Sequence, residues 1–124
     1  MYFDSRMNDK IPIFPLPLVL LPGEKLPLHI FEEKYRKMIE HCLKNNQKFG
    51  IVNSKNKDLL TIGCTASIEQ LIGSDQYDNG EYDILVTGVD RFIIKGYNDS
   101  EMYKQAHVKT WKDLDETINN TLLK

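Results

Sequence analysis

The chain has 124 residues, close to the commonest size for one domain, and a chain of this length hides roughly two thirds of its unfolded surface around one core. Hydrophobic residues make up 41% and charged residues 27%, and 16 basic side chains stand against 18 acidic ones for a formal charge of -2. This excludes a low-complexity or collagenous chain, and it argues against a nucleic-acid partner, because phosphate recognition calls for a concentrated basic patch.

Residues 1–10 are polar, with Asp4, Arg6, Asp9 and Lys10, and are expected to form a flexible lead-in rather than a signal peptide. The longest apolar stretch, Ile11 to Pro22, is interrupted by Pro12, Pro15 and Pro17 and falls short of the ~20 residues needed to cross a bilayer. A cytoplasmic protein with no membrane association is expected. Cys42 and Cys64 lie far apart, which fits two buried thiols in a reducing compartment better than a disulfide framework. The sequons Asn98-Asp99-Ser100 and Asn119-Asn120-Thr121 are then chance matches.

From Ile11 to Pro17 apolar residues alternate with proline. Each proline removes a backbone donor, so the run predicts an extended edge strand or a crossing segment. Leu18 to Leu21 ends at Pro22-Gly23, a turn signal, and Leu26 to Phe31 resumes an extended path in which Pro27 again suggests an edge. Between Glu32 and Asn45, Tyr35, Met38, Ile39, Cys42 and Leu43 follow the spacing of one buried helical stripe. Acidic Glu32 and Glu33 begin that helix and Lys44 ends it, as the helix dipole favours.

Beyond the helix the period changes to two. Lys48 to Val52 predicts a short strand and Asn53 to Asp58 a polar loop. In the next strand Leu60, Ile62, Cys64, Ala66 and Ile68 should face the core while Thr61, Gly63, Thr65, Ser67 and Glu69 face solvent. Gly73 to Gly80 reads as a turn ending in Asp78-Asn79-Gly80, a tight-hairpin signature. Glu81 to Val89 and Arg91 to Tyr97 read as two strands parted near Gly88, and Tyr103 to Trp111 as the last. After Asp113, Leu114, Ile118 and Leu122 suggest the start of a weak helix. The fold class is therefore mainly β with one packed helix (α+β), a small barrel of about six strands over residues 11–112, followed by a tail over 113–124.

The chemistry-bearing motifs are few. No GxxxxGK[ST] loop, nucleophile elbow or Ser-Lys arrangement occurs, and Ser67 reads as a solvent-facing strand residue. His29 and His41 flank a helix bearing Glu32, Glu33 and Cys42, but the spacing matches no zinc pattern, so no metal and no other cofactor is expected. His29 fits a satisfied structural residue and His107 a surface one. Arg91 is expected either to pair with Glu32 or Asp90 or to lie exposed in a contact surface. Tyr35 should join the buried stripe, with Arg36 pointing outward toward a partner.

The run FPLPLVLLPGEKLPLHIFEEKYRKMI, then IGCTASI, then VTGVDRFII, and the spaced Tyr103, Ala106 and Val108 together resemble the N-terminal substrate-binding domain of the ATP-dependent Lon protease family. The likeness covers about Ile11 to Trp111 and is greatest to small proteins that carry this domain alone. It implies a PUA-like pseudo-barrel and a non-catalytic role in recognising polypeptide segments or partner proteins, with substrate recognition linked to proteolysis. The ATPase and Ser-Lys protease domains of complete Lon enzymes have no counterpart here. Glu33 stands where the family commonly has proline, a harmless change in a first helical turn, and the helical bundle of longer members does not follow. A contact surface around the proline-rich stretch would use Leu18, Leu28, His29, Arg36 and Arg91. An RNA-binding module of PUA-like fold is the alternative, and an unrecognised hydrolase a third.

Overall fold

One long strand pairs with three neighbours and closes a single sheet on itself. In the computed structural model, which describes residues 10–55, 62–72, 80–98 and 102–112, the elements are β1 (Lys10–Leu16), β2 (Lys25–Ile30), α1 (Glu33–Lys44), β3 (Phe49–Asn53), β4 (Ile62–Ile72), β5 (Tyr82–Asn98) and β6 (Gln105–Thr110). The strand order is β2-β5-β4-β3-β1-β6, and β5 also pairs with β6, which closes the wall. The sequence splits β5 into two strands; the structure joins them. Its first half, Tyr82 to Thr87, pairs with β2, and its second half, Phe92 to Asn98, pairs with β6. Between them Val89 and Asp90 stand opposite Thr65 alone, a bulge that turns the strand from one neighbour to the other.

That bulge also overturns part of the alternation expected for β4. Cys64 and Ala66 are buried, but so is Thr65, which was expected to face solvent. The Thr65 hydroxyl accepts a hydrogen bond from the Asp90 amide (3.0 Å) and donates to the Asp90 carbonyl (3.3 Å), so the backbone left unpaired by the bulge is satisfied from the opposite strand. Ile62, expected inside, is exposed.

The prolines of β1 sit in a crossing segment and not at a free edge. Lys10 to Pro12 pair antiparallel with β6, whereas Ile13 to Leu16 pair parallel with β3. The two cores lie on opposite sides of this wall. Phe14 and Ile51 join a large cluster with Met38, Ile39, Phe49, Ile84 and Val86; Ile13 and Val52 join a smaller one with Phe92, Ile94, Ala106 and Val108. A parallel pair buried on both faces reads as continuous apolar sequence, as IPIF and FGIV do.

Pro22 and Gly23 form the turn expected of them. Glu24 N donates to Leu21 O (3.0 Å) and Gly23 has φ of 84°, the conformation required at the third position of a type II turn. The turn is fastened to β5 at Gly88, whose carbonyl accepts from Gly23 N and whose amide donates to Glu24 O, both at 2.8 Å. A Cβ at Gly88 would strike the Leu21 carbonyl, so only glycine fits.

Helix α1 covers the larger core with Met38, Ile39 and Cys42. Asn46 adopts φ of 50° and Gln47 N donates to Cys42 O (2.9 Å), a Schellman stop that satisfies the last turn. Leu43, expected in the buried stripe, is 50% exposed because it borders a cleft between the helix and the sheet. The expected Asp78-Asn79 turn, Leu60 and Thr61, and the tail from Asp113 lie outside the described residues.

Candidate functional site

Among the described strands, β2 has a ladder partner on one side only, β5, so its other side is an open edge. Pro27, exposed in the middle of β2, fits such a strand, and this part of the edge expectation holds. Leu28 and Ile30 point into the core while Pro27 and His29 point out. Where β2 runs into α1, a recess of about 190 Å³ opens between β1, β2 and the first helical turn, lined by Phe14, Pro15, Leu16, Leu28, His29, Ile30, Phe31, Glu32 and Tyr35. Two aromatic pairs form its walls: Phe14 stacks on Tyr35 with centroids 4.2 Å apart, and His29 lies over Phe31 at 5.8 Å and 20°. Phe31 is 56% exposed, an unusual cost for so large an apolar ring beside an open edge.

His29 is held from both sides. Its Nδ1 lies 2.8 Å from Asp83 Oδ1 and its Nε2 lies 2.8 Å from Glu81 Oε1. A neutral imidazole donates from one nitrogen only, so the pair of carboxylates favours the imidazolium, and the hydrogen bond to Asp83, followed by that to Glu81, raises the His29 pKa above its ordinary value. His29 and Asp83 are register partners across β2 and β5, which is why the contact forms. The expectation of a structurally satisfied histidine is met, although its partners are carboxylates that no sequence spacing joins to it. No cluster of three or more His, Cys, Asp or Glu side chains suited to a metal occurs among the described residues.

The other candidate residues lie elsewhere. Leu28 is a core residue, 9% exposed, that lines the recess from within. Leu18 packs against the large core and borders a small hollow with Arg91 on a different side of the barrel. Arg91 makes neither expected ion pair; its guanidinium lies over the Trp111 ring, 5.4 Å from the centroid, because Cys64, and not α1, is its neighbour across the sheet. Arg36 does not point freely outward. It is half-buried, its Nη1 packs against Gly80, its carbonyl accepts from Tyr82 Oη (3.1 Å), and it lines a cleft of about 390 Å³ with Glu33, Lys37, Glu40, Leu43 and Leu71. Only Leu28 and His29 of the five therefore meet in one place. Phe31, Tyr35, Glu32, Glu81 and Asp83 join them there, and Pro27, which marked the run from Leu26 to Phe31 as an edge, was the sequence signal that pointed to it.

A family model described as the ATP-dependent protease La (LON) substrate-binding domain matches residues 10–124. The chain belongs to the Lon substrate-binding domain family. It is 32% identical over 109 residues to the Lon protease of Buchnera aphidicola subsp. Baizongia pistaciae, a match covering 81% of this chain and 14% of that protein. It is 25% identical over 120 residues to the Lon protease of Porphyromonas gingivalis, covering 90% of this chain and again 14% of the relative. The chain thus spans about a seventh of these Lon proteases, over a region that the family describes as substrate-binding. Solved folds agree: the Lon N-terminal domain protein of Xanthomonas campestris superposes with a TM-score of 0.65 at 24% identity, covering 82% of this chain and 59% of that one. The N-terminal domain of the Mycobacterium avium complex Lon protease gives 0.64 at 18% identity, covering 82% of this chain and 54% of that one. Among the described residues the fold is therefore a six-stranded Lon-type barrel with one helix.

Proposed function

We propose that this Lon-type domain, with residues 11–112 as its folding unit, is a non-catalytic module that binds extended or unfolded polypeptide and works in substrate recognition linked to proteolysis. The observation that carries this reading is the open edge of β2 ending in an apolar recess. An extended segment can add along such an edge through main-chain hydrogen bonds while one of its side chains enters the recess. The formal charge of -2 gives phosphate no net attraction, which favours a polypeptide over RNA.

The test is binding of a permanently unfolded model protein, compared with a folded control of the same size. Measurable binding of the unfolded form alone is expected, and Phe31→Ser should abolish most of it while leaving the circular dichroism unchanged, since Phe31 is exposed. Equal binding of the folded control, or none of either, would remove the reading.

A further inference from the structure

We infer that Pro27 divides the open edge of β2, so that a polypeptide received there pairs on one side of Pro27 and does not run the length of the strand; this rests on β2 being the edge that receives extended polypeptide. The phase of the β2–β5 ladder is set at Gly88. Its amide donates to Glu24 O and its carbonyl accepts from Gly23 N, both at 2.8 Å, so Gly88 turns both its peptide groups toward the chain that enters β2. From there, bonded and non-bonded pairs alternate down an antiparallel ladder. Through the register, Val86, Ile84 and Tyr82 face Leu26, Leu28 and Ile30 in bonded pairs, while Thr87, Leu85 and Asp83 face Lys25, Pro27 and His29 in non-bonded ones. Two further observations agree with this phase. Opposed side chains come closest in non-bonded pairs, and side-chain contacts fall there: Lys25 Nζ lies 3.3 Å from Thr87 Oγ1, and His29 Nδ1 lies 2.8 Å from Asp83 Oδ1. Pro27 has no amide to give β5, and its place in the ladder asks for none.

The side of β2 away from β5 is therefore the side to which Lys25, Pro27 and His29 turn their main-chain groups, with Pro27 in the middle of the 6-residue strand. Whether an added strand runs parallel or antiparallel, one of its carbonyls is directed at the Pro27 nitrogen, where a ring carbon stands in place of hydrogen. That carbonyl finds no donor and meets the ring. The Pro27 carbonyl still accepts, so a strand can pair up to Pro27 from one end of β2 without crossing to the other. A segment shorter than β2 then exhausts what the edge offers, and a longer one gains nothing from its length.

Labelled peptides of about four and about eight residues, built on one alternating valine-serine scaffold, are compared by fluorescence anisotropy on the native chain, Pro27→Val and Pro27→Ala. Pro27 is exposed and gives β5 no hydrogen bond, so both variants should keep the native circular dichroism. The native chain should bind the two lengths within about twofold of each other. Both variants regain the missing amide and should bind the longer peptide about tenfold more tightly than the shorter, as further main-chain hydrogen bonds allow. Agreement between valine and alanine assigns the gain to the amide and not to an apolar side chain. A tenfold effect of length already present in the native chain, or no effect of length in the variants, overturns the division and leaves edge binding standing. Binding by the variants with none by the native chain upholds the division and removes polypeptide binding at the native edge. No binding by any of the three overturns both.

Discussion

Gly88 and His29 show how much of this barrel depends on single side chains, or on the lack of one. At Gly88 the Leu21 carbonyl occupies the place of a Cβ, and both its peptide groups hold the Pro22-Gly23 turn. Gly88→Ala must push that turn away, so a loss of about 1–3 kcal/mol is expected, typical of overpacking, read as a lower denaturant midpoint at unchanged m-value. His29 works through charge. Its folded-state pKa is raised by Asp83 and then Glu81, so the stabilisation it brings is fully present below the ordinary histidine value of about 6.5 and fades as pH rises through the raised value. The difference in melting temperature between the native chain and His29→Asn should accordingly be larger at acid pH than at alkaline pH. A difference independent of pH would mean that the imidazolium is not the stabilising form.

At the level of elements, β5 holds the most information and was the hardest to read. Its sequence breaks at Gly88-Val89-Asp90 because two residues there face one, and a break in period looks the same whether a strand ends or bends. The Thr65 hydroxyl that bridges Asp90 belongs to a strand 25 residues away, beyond the reach of any local pattern. Thr65→Val should leave the partly buried Asp90 amide without its partner and cost about 1 kcal/mol by equilibrium unfolding. Helix α1, by contrast, had ends legible almost to the residue, since its acidic start and its basic last turn are local signals, and of its stripe Leu43 alone proved exposed. The candidate site was legible only in part. Leu28 and His29 stood in a run that announced an edge, but Arg36 and Arg91 were placed by their exposure in sequence, and their actual neighbours, Gly80 and Trp111, are set by packing. Glu81 and Asp83 reach His29 through a register that only the folded sheet defines.

The whole molecule has two cores divided by the β1–β3 wall, and whether they fold as one can be measured. Met38 and Phe92 are both fully buried, one in each cluster. Met38→Ala should cost about 2–5 kcal/mol and Phe92→Ala about 3–5, and each should shift the fluorescence of the single Trp111 and the circular dichroism by the same amount. Separate transitions would show that the wall insulates the cores instead of joining them. The thiols offer a gentler probe of the same cooperativity. Burial pushes the Cys42 pKa up to about 12 and raises that of Cys64, so neither should react with a thiol reagent at mildly alkaline pH until the barrel opens, and both should then react together.

The pairing of Lys10 to Pro12 with Gln105 to His107 has a consequence in time. These strands lie almost a full chain length apart, and contacts of such long range form late, because the loop they close must be ordered first. On a ribosome the wall stays open until β6 emerges. A chain halted at Asn98 would present the start of β1 and the second half of β5 as unpaired edges, the kind of surface on which strands of other molecules add. For a nascent domain whose own folded form carries an open edge at β2, the interval before β6 arrives is the period of greatest hazard.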